Sequence, residues 1–152
     1  ISTRIWKKEQ GAVWFTFHTK TAAGPLPQAR FTDAPGYAFF FSHQNTLSPI
    51  GNWVPTLTTE AGFQVYQTHW VDYPQNDGFL GNIGLQLQKD ETYFSARLRT
   101  FTGYFLDGDW PRLLEIQWQN DLSFGQTQLG WTRGLNDYPF SFLTVGLVYW
   151  LD

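Results

Sequence analysis

Apolar and polar residues alternate with a period of two along most of the chain, and no stretch of useful length repeats its apolar positions at helical spacing. The alternation predicts strands at about 11–20, 36–45, 56–71, 79–89, 92–106, 111–120, 122–134 and 140–151. Turn chemistry separates them. The one long connection runs from Ala23-Gly24-Pro25 to Ala34-Pro35-Gly36. Shorter ones are Pro49 to Pro55, Pro74 to Gly78, Asp107-Gly108-Asp109 and Asn136 to Pro139. No internal repeat or break in composition divides the chain, so residues 1–152 read as one all-β domain, an antiparallel meander.

Two hairpins sort their residues into consistent faces. With Asp90-Glu91 as a two-residue turn, Leu87 opposes Phe94, Leu85 opposes Ala96 and Ile83 opposes Leu98. On the other face Gln88 meets Tyr93, Gln86 meets Ser95, Gly84 meets Arg97 and Asn82 meets Arg99. A slip of one residue would exchange the faces, so this register is strongly specified. The segment 111–134 behaves similarly about a turn at Asn120-Asp121, which sets Glu115 against Gln126 and Gln117 against Phe124. In the last strand Leu143, Val145, Leu147, Tyr149 and Leu151 form an uninterrupted apolar row.

Alternation alone does not say what each face meets. A soluble sandwich turns its apolar rows to the core, whereas an outer-membrane barrel turns them to lipid and its polar rows to a lumen. The polar residues favour the barrel. They are Gln86, Gln88, Gln117, Gln119, Gln126 and Gln128, with Asn82, Arg97, Arg99 and Glu115, rather than the Lys and Glu of water-facing strands. Beyond residue 20 the only lysine is Lys89. Charged residues make up 15% of the chain against roughly 25% in an ordinary soluble domain, as expected if one face is lipid and the other enclosed. Trp53, Trp70, Tyr73, Trp110, Trp131, Tyr138, Tyr149 and Trp150 fall near strand ends, where interfacial girdles concentrate amphipathic rings. The expected fold is therefore a closed transmembrane barrel of about eight strands. Its lumen would hold Asn82, Gln86, Arg97, Arg99, Glu115, Gln117 and Gln126, and its interfaces Trp53, Trp70, Trp110, Trp131, Tyr149 and Trp150.

The closing row from Leu143 to Leu151 resembles the terminal strand of small outer-membrane barrels of the eight-stranded kind, although those commonly end on an aromatic residue and this chain ends Trp150-Leu151-Asp152. The resemblance is one of pattern and implies an envelope scaffold, an interaction protein or a narrow channel. A chain that opens on Ile1 and contains no Met reads as a processed product, and Arg4, Trp6, Lys7 and Lys8 suit a membrane–water interface. The alternative is a secreted soluble sandwich or barrel that binds carbohydrate on Trp and Tyr platforms.

Other classes are excluded or weak. There is no apolar run long enough for a membrane helix, and a net charge of −3 argues against nucleic acid as a partner. With no Cys and no two of His18, His43 and His69 at ligand spacing, neither a metal nor another cofactor is expected. His43-Gln44-Asn45-Thr46 resembles the His-x-Ser-Asn strand of outer-membrane phospholipases and lipid A deacylases, but the serine is missing. Ser42 would point to the other face, so His43 is only a weak catalytic candidate for a lipid-modifying hydrolase. Arg97, Arg99 and Glu115 are expected to meet in the lumen as a salt-bridged plug or constriction. Asp107-Gly108-Asp109, Asn76-Asp77-Gly78 and Asn136-Asp137 read as ordinary turns. Membrane lipid is the expected partner, with a glycan or another envelope protein as alternatives.

Overall fold

The computed structural model describes residues 1–20, 35–67, 72, 75–103 and 110–150. Nine strands follow one another: β1 (Ser2–Lys7), β2 (Gly11–Lys20), β3 (Gly36–Thr46), β4 (Val54–Gln67), β5 (Gln75–Lys89), β6 (Thr92–Gly103), β7 (Arg112–Leu122), β8 (Gly125–Asn136) and β9 (Ser141–Tyr149). They form one sheet in chain order, with every neighbouring pair antiparallel. No helix occurs among the described residues.

The count is nine rather than eight because the basic N-terminal stretch is itself a strand. Arg4 pairs with Trp14 and Trp6 with Val13 across an irregularity between Arg4 and Trp6. The Arg4 guanidinium lies 5.5 Å from the Trp14 ring and the Lys8 ammonium 5.6 Å from the Trp6 ring. The expected closure is also corrected. Among the described residues β1 and β9 are the two edges of the sheet and share no ladder. In a nine-strand meander they run in the same direction, so a direct seam would be parallel in an otherwise antiparallel sheet.

The turn at Asp90-Glu91 forms as expected, with Asp90 at φ 48° and every pair from Lys89–Thr92 to Asn82–Arg99 in the predicted register. The β7–β8 hairpin keeps the expected faces but slides by six residues, turning at 123–124. Ile116 then opposes Trp131, and Trp118 opposes Leu129, so these two meet apolar residues across the strands instead of Gly125 and Ser123. On the other face the Asp121 carboxylate accepts hydrogen bonds from Gln119 (3.2 Å) and Gln126 (2.8 Å). Asp121 is thus a ladder residue, not part of the turn.

Connections at the two ends of the sheet differ. Those at 8–10, 47–53, 90–91 and 123–124 lie at one end, and those at 21–35, 68–74, 104–111 and 137–140 at the other. We call them the tight-turn end and the long-connection end.

One face carries the apolar rows, and among the described residues most of them have no second layer of protein over them, Val65 near the long-connection end of β4 being the buried exception. Phe41, Phe79, Ile83, Leu98, Ile116, Leu129 and Leu143 are all exposed, and Val145 reaches 82%. Aromatic contacts run across this face from Phe39 to Phe63 and on to Phe79, at centroid distances of 5.8 and 5.9 Å. The apolar stripe slants across the sheet. The ladder row through Phe15 on β2 reaches Arg112 on β7, whereas the row through Val145 on β9 reaches Trp118, six residues further along that strand. Six residues over the seven steps from β2 to β9 make a slant of roughly 30°, at about 3.4 Å per residue and about 4.8 Å between strands.

The other face is concave. Its buried apolar centre is small: Ala38, Leu80 and Phe101, with Phe40 against them. Gly62 is needed there, because a Cβ would meet the Phe39 carbonyl oxygen at 2.2 Å and Phe40 Cβ at 2.4 Å.

Candidate functional site

Among the described residues the polar rows line two cavities on the concave face. The first, about 380 Å³, lies toward the tight-turn end and is walled by neutral side chains, among them Thr58, Gln86, Tyr93, Ser95, Gln117 and Gln119. The second, about 600 Å³, lies toward the long-connection end and is the charged one, holding His18, Glu60, Asn82, Arg99, Glu115 and Tyr138. Its lining runs from Thr16 and His18 on β2 to Phe142 on β9, so the sheet curls far enough for strands near both edges to face one space. Arg97 borders both cavities and stands between the neutral chamber and the charged one.

Ladder geometry explains the charged group. Arg97 and Glu115 are direct partners on β6 and β7, and Arg99 sits two residues along on the same face. The salt bridge forms on the diagonal, Arg99 Nη1 to Glu115 Oε1 at 3.0 Å. One strand pair further, Asn82 donates to the Glu60 carboxylate across β4 and β5. Ser42, 6% exposed, is the next residue in that row. The side chains of Arg99 and Glu115 are 46% and 28% exposed, so water screens the pair and its contribution is about 0–1 kcal/mol.

Tyr138 closes the long-connection side of this cavity. It precedes β9 and folds back because Gly134 has no side chain; a Cβ there would lie 1.7 Å from the Tyr138 carbonyl oxygen. The residue is buried, and desolvation raises the phenol pKa above the usual 10.0, opposed by Arg99 and reinforced by Glu115. Chain position suggests an interfacial ring at Tyr138, whereas the fold turns it inward.

The expected lumen residues share the concave face but divide into three groups. Asn82, Arg99 and Glu115 line the charged chamber, Gln86 and Gln117 the neutral one, and Arg97 both. Gln126 stands apart at the tight-turn end, bonded to Asp121. Glu60, His18 and Tyr138 complete the site without having been singled out for it. Glu60 was legible, since it alternates with Ala61 and Phe63 in a strand whose apolar phase is clear. Tyr138 has no such signal.

Of the expected interfacial aromatics, Trp53, Tyr149 and Trp150 lie at the tight-turn end. Trp53 packs edge-on against Phe94 at 5.8 Å, and Tyr149 lies 6.1 Å from Phe124. Trp110 precedes β7 at the opposite end, and Trp131 stands within the apolar stripe between Ile116 and Leu143. Trp70, Tyr73, His69, Asp107-Gly108-Asp109 and the connection at 21–34 lie outside the described residues.

His43 faces the apolar side, with Val13 and Thr59 in its ladder row, while Ser42 points to the concave side. Strand geometry therefore separates them, and no carboxylate occupies the positions flanking His43 in that row. Among the described residues no group of three His, Asp or Glu side chains could hold a metal ion. No protein-family model matches the chain, and neither a curated protein nor a solved structure is detectably similar to it.

Proposed function

We propose that this chain forms a membrane-embedded β-sheet of the outer-membrane type, with its apolar face on lipid and its polar face around a narrow, plugged interior. One observation carries the reading: among the described residues most of the apolar rows are exposed, while the Gln, Arg and Glu rows line the concave side. A water-soluble sandwich or ligand-binding barrel needs the opposite assignment, because burying apolar surface is what stabilises it. The slant of roughly 30° agrees with this reading, since strands of a spanning barrel tilt by about 35–45° and the lipid band then crosses the ladder rows obliquely. The difference between the tight-turn and long-connection ends is also that of outer-membrane barrels, with short periplasmic turns and longer outer loops.

The biological role that follows is an envelope scaffold rather than an open pore. Arg97, the Arg99–Glu115 pair and Tyr138 line the charged cavity, and in a closed wall they would obstruct the path through it. Closure of the lipid-facing wall requires either a parallel β1–β9 seam or added strands beside the two edges. The experiment is extraction and refolding of the chain with and without detergent. The proposal predicts that it precipitates in plain buffer, folds in micelles, and migrates differently on gels before and after heating. A monodisperse folded monomer without detergent overturns it.

The two chambers in series favour one variant, a narrow conduit gated at Arg97. Planar-bilayer recordings separate this from the scaffold: steady conductance supports the conduit, and a silent membrane at all voltages supports the plug.

A further inference from the structure

On two adjacent strands an arginine interrupts the apolar row near the long-connection end, with Leu135 the one apolar residue beyond it on β8. On β7 the outward row Trp118, Ile116, Leu114 is followed toward the long-connection end by Arg112; on β8 the row Leu129, Trp131 is followed by Arg133. Arg133 opposes Leu114, so it is the diagonal neighbour of Arg112, about 7–8 Å away at the backbone. Among the described residues the salt bridge is Arg99–Glu115 on the concave face, so neither border arginine has a carboxylate partner there.

Arg112 is also held in place. Its guanidinium lies 3.9 Å from the centre of the Trp110 ring, a cation–π contact. That ring is fixed in turn: Trp110 Nε1 donates to Thr100 Oγ1 at 2.6 Å and the Trp110 amide to Asp137 Oδ2 at 2.8 Å. Asn136 Nδ2 completes the frame by donating to the Trp110 carbonyl at 2.8 Å and to Asp137 Oδ2 at 2.9 Å. Asp137, the acidic residue in this frame, has its Oδ2 taken up by the Trp110 amide and Asn136. The result is a supported cation beside a second cation, next to an apolar row in which Leu114 and Trp131 are half-buried and Ile116 is exposed.

We propose that Arg112 and Arg133, with Trp110, form a headgroup site for an anionic phosphate-bearing membrane lipid, whose acyl chains lie along Leu114, Ile116 and Trp131. Two forked guanidiniums match the oxygens of one phosphate. The adjoining apolar row selects an amphiphile over free phosphate, because only an amphiphile satisfies the charge and covers the stripe together. The inference rests on the membrane reading above.

The test uses the full chain folded in neutral-detergent micelles and titrated with dihexanoyl phosphatidic acid, dihexanoyl phosphatidylcholine or inorganic phosphate, read by thermal unfolding and by lipid retained in native mass spectrometry. Each interfacial arginine should contribute about fivefold in affinity, so phosphatidic acid should bind on the order of twentyfold tighter than the choline lipid. Arg112→Gln with Arg133→Gln should erase that preference, and Arg112→Lys with Arg133→Lys should keep much of it. Equal binding of the two lipids, an unchanged preference in the glutamine pair, or equal stabilisation by inorganic phosphate overturns the site. A chain that folds without detergent overturns the membrane reading and the site with it, whereas a micelle-dependent chain with no anionic preference overturns the site alone.

Discussion

Placing an arginine at Val145 separates a lipid-facing sheet from a water-facing one more sharply than any other single change. Val145 is 82% exposed at the centre of the β9 apolar row, has little packing to lose, and points away from the concave face. In water, Val145→Arg on such a surface changes stability by about 0.5 kcal/mol or less. At the middle of a hydrocarbon layer the same change costs about 2–4 kcal/mol, falling to about 0–1 near the interfaces. A cost of that size shifts the folding equilibrium by roughly 30- to 700-fold. The assay is reversible denaturant unfolding in phosphatidylcholine vesicles, comparing Val145→Arg with Tyr149→Arg at the tight-turn border and Thr144→Arg on the concave face. The account predicts a large loss for Val145→Arg and smaller ones for the other two. A loss at Val145 within about 0.5 kcal/mol of zero would refute the reasoning, because no lipid-facing valine tolerates a cation so cheaply.

Further predictions concern the interior. A double-mutant cycle of Arg99→Gln and Glu115→Gln should give a coupling below about 1 kcal/mol, since both side chains are partly wetted; a value several times larger would mean that the chamber excludes water. The raised pKa of Tyr138 means that the folded phenol keeps its proton at pH values where the unfolded one has lost it. Its contribution is therefore complete below about pH 10 and declines as pH rises through the raised value. Stability–pH curves for the parent and Tyr138→Phe should diverge only on that alkaline side, and curves that stay parallel there would contradict the burial. Gly134→Val should displace the Tyr138 loop at a cost of about 1–3 kcal/mol and bring the Tyr138 titration back toward 10, readable by ultraviolet absorbance. An unchanged titration would show that Gly134 is not what lets the loop fold in.

The hairpin from Phe79 to Gly103 was legible because only one register puts Leu87, Leu85 and Ile83 on one side and Gln88, Gln86 and Asn82 on the other. The β7–β8 register was not, for a reason intrinsic to period two: a shift of six residues leaves every face unchanged, so alternation cannot see it. What decides it is pairwise, with Ile116 on Trp131, Trp118 on Leu129, and Asp121 holding Gln119 and Gln126. Strand β1 was hidden because the irregularity between Arg4 and Trp6 breaks the alternation within six residues. The pairing of Arg97 and Arg99 with Glu115 was foreseeable from face assignment, since even the mistaken register left Glu115 on the concave side. Tyr138 depends on a glycine four residues earlier and on a cavity assembled from β2 to β9, neither of which local pattern records.

The chain has no cysteine, so a single introduced one can be spin-labelled without background. Nitroxides at Ile116→Cys and Gln117→Cys, adjacent residues on opposite faces of β7, report collision with lipid-soluble oxygen and with a water-soluble nickel chelate in vesicles. The account predicts that position 116 is relaxed mainly by oxygen and position 117 mainly by the chelate or by neither. Strong relaxation of position 116 by the chelate, with oxygen favoured at 117, contradicts it.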